Sequence, residues 1–138
     1  MRLLPGLLAL FACTVLAAEP LRVVSLAPSM SEIMLELQAD DLLVGVLDGG
    51  ERPAALRHLP SVGRQGQLDM ERLLSLRPDL LLLWPGSVPP AQRDQLKRLG
   101  MATFSAEPHD ISQLIEQIEA IAGRIGRAEQ GHSYARAL

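Results

Sequence analysis

The sequence predicts a doubly wound α/β fold built on a mainly parallel sheet. Three observations carry this. Short apolar, β-branched runs alternate with stretches of helical period. One of these runs, Asp79 to Trp84 (DLLLLW), is apolar almost throughout, as a strand buried on both faces must be. The segments joining them are short and rich in Gly, Pro, Asp and Ser. Such a sheet is covered by helices on both sides and meets its ligands at the carboxyl ends of its strands.

The first eighteen residues, MRLLPGLLALFACTVLAA, hold one positive charge followed by an apolar run too short and too broken by Pro5 and Gly6 to span a bilayer. They are expected to be a secretory signal peptide over residues 1–18, cleaved after Ala17 or Ala18. The competing reading is a lipoprotein site at Leu10-Phe11-Ala12-Cys13, with Cys13 acylated; Phe11 is bulky for that motif, and the apolar run continues to Ala18. A core helix at the N terminus is a third alternative.

Arg22 to Leu26 (RVVSL) then reads as a strand. It stops at Ala27-Pro28, where Ser29-Met30-Ser31-Glu32 has the form of a capping box opening a helix with Ser29 as its cap. Ile33, Met34 and Leu37 lie on one helical face, and Leu42 to Val46 (LLVGV) is the next strand, which makes a βαβ unit. Leu47 to Gln67 is polar and rich in Gly and Pro. It is expected to be irregular apart from a turn of helix at Ala54 to His58.

Asp69 caps a helix running through Leu76, Pro78 ends it, and the strand Asp79 to Trp84 follows. Pro89 to Leu99 is the next helix, Gly100 its stop, and Ala102 to Ser105 (ATFS) another strand. Asp110 caps a long helix in which Ile111, Leu114, Ile115, Ile118, Ile121, Ala122 and Ile125 keep the 3.6-residue period. A further helical stretch, Ala128 to Leu138, starts after Gly126 and is still running when the sequence stops, as expected of a longer chain. The segments predicted at the carboxyl rim are Ala27-Pro28-Ser29, Leu47 to Gly50, Trp84-Pro85-Gly86 and Ala106-Glu107-Pro108.

Composition narrows the function. With 138 residues, 48% of them hydrophobic, and charges spread along the chain to a net −3, the sequence suits one globular domain and offers no basic patch for nucleic acid. The single cysteine lies in the leader, so the exported part needs no disulfide. His58, His109 and His132 stand apart from one another, which argues against a metal site, and read as surface or loop residues. No phosphate-binding glycine loop or Gly-x-Ser-x-Gly elbow occurs. An exported α/β domain with a functional rim and no catalytic set is expected to bind rather than to catalyse, without a cofactor.

Three stretches, RVVSLAPSMSEIMLELQADDLLVGV, LPSVGRQGQLDMERLLSLRPDLLLLW and QLKRLGMATFSAEPHDISQLIEQIEAIAGRIGR, carry a resemblance. Together they resemble the N-terminal lobe of the periplasmic substrate-binding proteins that deliver vitamin B12 and iron chelates to ABC importers. The pattern from Val62 to Leu80 is the specific part, and the cobalamin-binding members are the most similar. The resemblance implies two α/β lobes joined by a rigid helix, with residues 21–127 as the first lobe, 128–138 as the start of the joining helix and a second lobe absent here. It implies cobalamin or a ferric chelate as ligand, a membrane permease dimer as partner, and a periplasmic location. A ferric siderophore or haem binder of the same fold, a stand-alone lipid-anchored interaction domain, and an enzyme completed by a second lobe are the alternatives.

Carried over residue by residue, Trp84 matches a ligand-facing tryptophan, and a flat apolar ring at the rim suits packing on a macrocycle. A Trp that only closes the top of the core would read the same way in sequence. A family tyrosine falls on Gly49 and a family aromatic on Gln65, next to Arg64. Gln65 and Arg64 could instead supply hydrogen-bond donors to a more polar chelate. Ser29 would be a helix cap first and a cleft residue second. Glu71 matches a glutamate that docks on a permease arginine, and it is expected at the end of the layer away from the rim; an acidic residue in a first helical turn also suits the macrodipole by itself.

Overall fold

Alternate side chains of the strands serve opposite faces, and this divides the core in two. The computed structural model describes residues 18–138. The expected signal peptide, Cys13 included, lies outside the described residues except for Ala18. Six strands form one sheet: β1 (Val23–Ser25), β2 (Leu43–Asp48), β3 (Ser61–Arg64), β4 (Gln67–Leu68), β5 (Leu80–Leu83) and β6 (Thr103–Ser105). Their order is β4-β3-β2-β1-β5-β6, and every pairing is parallel except the β3–β4 hairpin. Val23, Val46, Leu80 and Leu82 face one layer, while Val24, Leu47, Leu81 and Leu83 face the other.

Helices α1 (Pro28–Glu36) and α4 (Ile111–Arg124) cover the first face with Met30, Met34, Ile118 and Ile121, all fully buried. On the second face α2 (Met70–Ser75) and α3 (Pro90–Arg98) contribute Leu73 and Leu96. Asp69 caps α2 by accepting from the Arg72 N–H at 3.0 Å, and Asp110 caps α4 by accepting from the Gln113 N–H at 2.8 Å. The last helix, α5 (Ala128–Arg136), lies against α4, where a Cβ on Gly131 would overlap the Ala122 methyl. Among the described residues no helix is long and apolar enough to cross a membrane.

Three local expectations need correction. The segment Leu47 to Gln67 is irregular only in its middle, where the expected helical turn forms over Ala54–Leu56; at its ends β2 runs on to Asp48, and β3 and β4 form a hairpin around Gln65-Gly66. Val62 alone anchors β3 in the core, so no apolar period marks the strand. Gly63, at φ 113°, brings the two strands close enough that a Cβ would overlap the Gln67 carbonyl. The third correction concerns Ser29, which is not the cap of α1. Ala27 holds that position and Pro28 takes the first helical turn, where its missing N–H costs nothing. The serines that order this corner are Ser25, whose Oγ donates to the Ala27 carbonyl at 2.8 Å, and Ser31, whose Oγ donates to the Ser25 Oγ at 2.8 Å.

Candidate ligand-binding site

In this strand order the chain leaves β1 toward β2 and β3, then returns to the other side of β1 with β5 and β6. The topological switch therefore lies between β1 and β5, and there the connections part to leave a crevice at the carboxyl rim. The segment following β1 contains Ser29, and the one following β5 begins with Trp84. Both line one cleft of about 240 Å³ with Ile33, Glu107, Leu114 and Gln117. Ser29 is exposed in the first turn of α1; its N–H has no backbone partner among the described residues, while those of Met30 and Ser31 donate to the Ala27 carbonyl.

Trp84 is half-buried, packed against the core face beneath α1 and α4 and open to the cleft on its other side. Its ring is held by a close backbone approach: a Cβ on Gly86 would overlap the indole. The Ser87 hydroxyl and N–H both donate to the Trp84 carbonyl, at 2.9 and 3.0 Å, and tighten the turn. The ring thus belongs partly to the core and partly to the cleft.

Gly49, Arg64 and Gln65 lie at the same rim but across β2 and β3. The Gln65 side chain lies beside Gly49, and the Gln65 N–H donates to the Asp48 carbonyl at 2.9 Å. Arg64 is exposed at the end of β3. Three strand spacings, about 14 Å, separate β3 from β5, and two, about 10 Å, separate β2 from it; Gly49, Arg64 and Gln65 do not line the Trp84 cleft. Between them the loop after β2 is closed by Arg52. Its Nη2 donates to Asp48 Oδ1 at 2.6 Å, and its Nη1 to the carbonyls of Leu59 at 2.6 Å and Leu56 at 3.2 Å. The Ser61 hydroxyl and then the guanidinium groups of Arg52 and Arg64 hold the Asp48 carboxyl below its ordinary range, against the opposing cost of burial. Arg52 is the direct contact; the Ser61 hydroxyl donates to the Gly63 carbonyl and accepts from the Gly63 N–H. The recess left there has room for about 20 Å³, one water molecule and no more.

Glu71 is exposed in the first turn of α2 and lines a shallow hollow with Pro60, Arg72 and Ser75. Because β4 runs back along β3 and the Asp69 N–H pairs with the Val62 carbonyl, α2 starts toward the amino edge of the sheet, opposite the rim. Among the described residues no cluster of His, Cys, Asp and Glu could hold a metal ion.

Sequence reasoning did not single out Gln117. The signal was available: Gln117 falls in phase with Leu114, Ile118 and Ile121 on the apolar stripe of α4, where a polar side chain needs an explanation. Glu107 belongs to the rim segment Ala106-Glu107-Pro108 that the sequence predicts, and it lines the cleft.

The model of the family described as periplasmic binding protein matches residues 23–138. The chain belongs to that family. A vitamin B12-binding protein of Yersinia pestis (strain Pestoides F) is 35% identical over 119 residues, which are 86% of this chain and 42% of that protein. Among solved structures, the periplasmic vitamin B12 binding protein of Vibrio cholerae superposes with a TM-score of 0.77 at 28% identity, over 84% of this chain and 46% of that one. A periplasmic heme binding protein from Pseudomonas aeruginosa gives 0.77 at 35% identity, over 86% and 43%. The chain spans less than half the length of these relatives, which are two-lobed, and corresponds to one lobe of such a binding protein.

Proposed function

We propose that this lobe forms one wall of the binding site of an exported substrate-binding protein, which captures cobalamin or a related metal chelate and delivers it to the permease of an ABC importer. Residues 1–18 serve as its signal peptide, and residues 128–138 begin the helix to a second lobe. The observation that carries this reading is Trp84: a flat ring at the switch point of the sheet, braced by Gly86 and open on one side to a cleft. The names of the relatives support the ligand class. Ser29 borders the same cleft, Gly49 lies about 10 Å along the rim, and Arg64 and Gln65 lie about 14 Å along it, distances that a large macrocycle with side arms covers and a small metabolite does not. Glu71, on the opposite edge, is free to meet the permease.

A haem ligand is the second reading, favoured by the likeness to the Pseudomonas protein. Calorimetric titration of the chain with cyanocobalamin, haemin and a ferric hydroxamate separates the candidates. Cyanocobalamin is expected to bind most tightly, with a Kd weaker than about 1 μM, because one wall cannot enclose the 70 to 90% or so of ligand surface that a closed pocket buries. Preference for haemin or the hydroxamate would reassign the ligand, and submicromolar binding would contradict the role as one wall of two.

A further inference from the structure

Strand β6 ends the sheet on one side and leaves it an open edge. In the parallel β5–β6 pair the Leu81 N–H donates to the Ala102 carbonyl at 2.9 Å and the Ala106 N–H to the Leu83 carbonyl at 3.3 Å, with Leu81 opposite Thr103 and Leu83 opposite Ser105. That register points the backbone groups of Phe104 at β5 and turns those of Thr103 and Ser105 outward: two donors and two acceptors without a backbone partner among the described residues. Both residues are exposed, and neither a charge nor a proline within β6 blunts the edge.

Beside this edge lies a hollow of about 580 Å³, more than twice the volume of the Trp84 cleft. Its floor is apolar, with Leu83, Leu96 and Met101, and Thr103 and Ser105 form one wall. Helix α3 supplies the other wall with Arg93 and Lys97, one turn apart on the same helix face, and with Asp94 beside them. None of these three charges enters the ion pairs found among the described residues. Arg93 is half-buried, and its side chain has no hydrogen-bond partner there either. A guanidinium withdrawn from part of its water without a partner carries a cost that an incoming anion offsets.

We propose that β6 and α3 form a docking groove for an extended acidic segment of another protein. The segment adds to the sheet beside β6, and its backbone pairs with Thr103 and Ser105. On its side facing α3, one carboxylate meets Arg93 and Lys97, and an apolar side chain two residues along covers Leu96 and Met101. Backbone pairing is blind to sequence, so charge chooses the class of segment: two cations stand against the single carboxylate of Asp94, and a basic segment is repelled. The three residues of β6 span about 10 Å, which makes the contact short and reversible. The groove is separate from the Trp84 cleft and does not depend on what that cleft captures.

The test titrates the chain with capped seven-residue peptides, followed by fluorescence anisotropy and by amide hydrogen exchange. One peptide alternates valine with glutamate, the second alternates valine with lysine, and the third is the glutamate peptide N-methylated at each amide. The glutamate peptide is expected to bind with a Kd of about 1 mM or tighter and to slow exchange at the Thr103 and Ser105 amides. N-methylation keeps the charge and removes the donors, and should weaken binding about tenfold or more; the lysine peptide should not saturate. Arg93→Ala, and Lys97→Ala at an exposed position that does not threaten folding, should each weaken the glutamate peptide about three- to tenfold and leave cyanocobalamin binding unchanged. Equal binding of the N-methylated peptide would overturn strand addition and leave only an anion site. Undiminished binding by Lys97→Ala, equal binding of the lysine peptide, unaltered exchange at Thr103 and Ser105, or no saturation by the glutamate peptide would each overturn the proposal.

Discussion

The two halves of the carboxyl rim are built in opposite ways. On the β2–β3 side Arg52 ties Asp48 to the carbonyls of Leu56 and Leu59, Gln65 bonds back to Asp48, and the space left admits a single water. On the β1–β5 side the aromatic ring is left half-open, the Ser29 N–H lacks a backbone partner, and the hollow is more than ten times larger. A region that satisfies its own polar groups is scaffold, whereas one that leaves them unsatisfied is arranged for something to arrive. One rim thus holds both a rigid frame and a receptive surface.

If that contrast is right, damage to the closed half should cost stability and spare the site. The largest effect is expected from Arg52→Ala, which removes the Asp48 ion pair and leaves the Leu59 carbonyl without its donor, while the Leu56 carbonyl keeps only the Leu59 N–H. About 2 to 3 kcal/mol of unfolding free energy should be lost, with ligand affinity changed by less than about twofold. An affinity loss as large as the stability loss would show that the two halves act as one unit.

Acid should act on the same half. The folded-state pKa of Asp48 lies below its unfolded value, so its contribution is fully present above the unfolded pKa and disappears as pH falls through the folded one. Denaturant midpoints should therefore decline below about pH 4 more steeply in wild type than in Asp48→Asn. Parallel profiles would remove Asp48 from the frame. The smallest effect on the isolated chain is expected at Glu71. Glu71→Ala should alter stability by at most about 1 kcal/mol through the helix terminus and leave ligand binding untouched, while lowering uptake by a reconstituted transporter; Glu71→Arg should lower uptake further. Normal uptake with both variants would return Glu71 to a helix-end role.

Legibility in the sequence followed the same division. Elements with many buried positions announced themselves: DLLLLW read as a strand buried on both faces, and the stripe from Leu114 to Ile125 as a helix on the sheet. The β3–β4 hairpin did not, because Val62 and Leu68 are its only buried side chains and its geometry depends on glycine conformations that leave no periodic trace. Ser29 looked like a cap because Ser-x-x-Glu is a capping pattern; Pro28, which favours the first helical position, was the competing signal and prevailed. The rim segments could be named from strand ends alone. Which two border the crevice could not, because strand order is set by packing between segments far apart in sequence. The same limit concealed Gln117, which lines the cleft with Trp84 and donates to the Met30 sulfur.

The contrast rests finally on Trp84, the sole tryptophan, measured for stability and ligand affinity in the same protein. Trp84→Ala should weaken cyanocobalamin binding about tenfold or more, some 1 to 3 kcal/mol, while costing no more than about 2 kcal/mol of unfolding free energy, since one side of the ring already faces the cleft. A loss of about 3 to 5 kcal/mol of stability with unchanged affinity would mean that the ring only closes the core, and that the open half of the rim is not where the ligand binds.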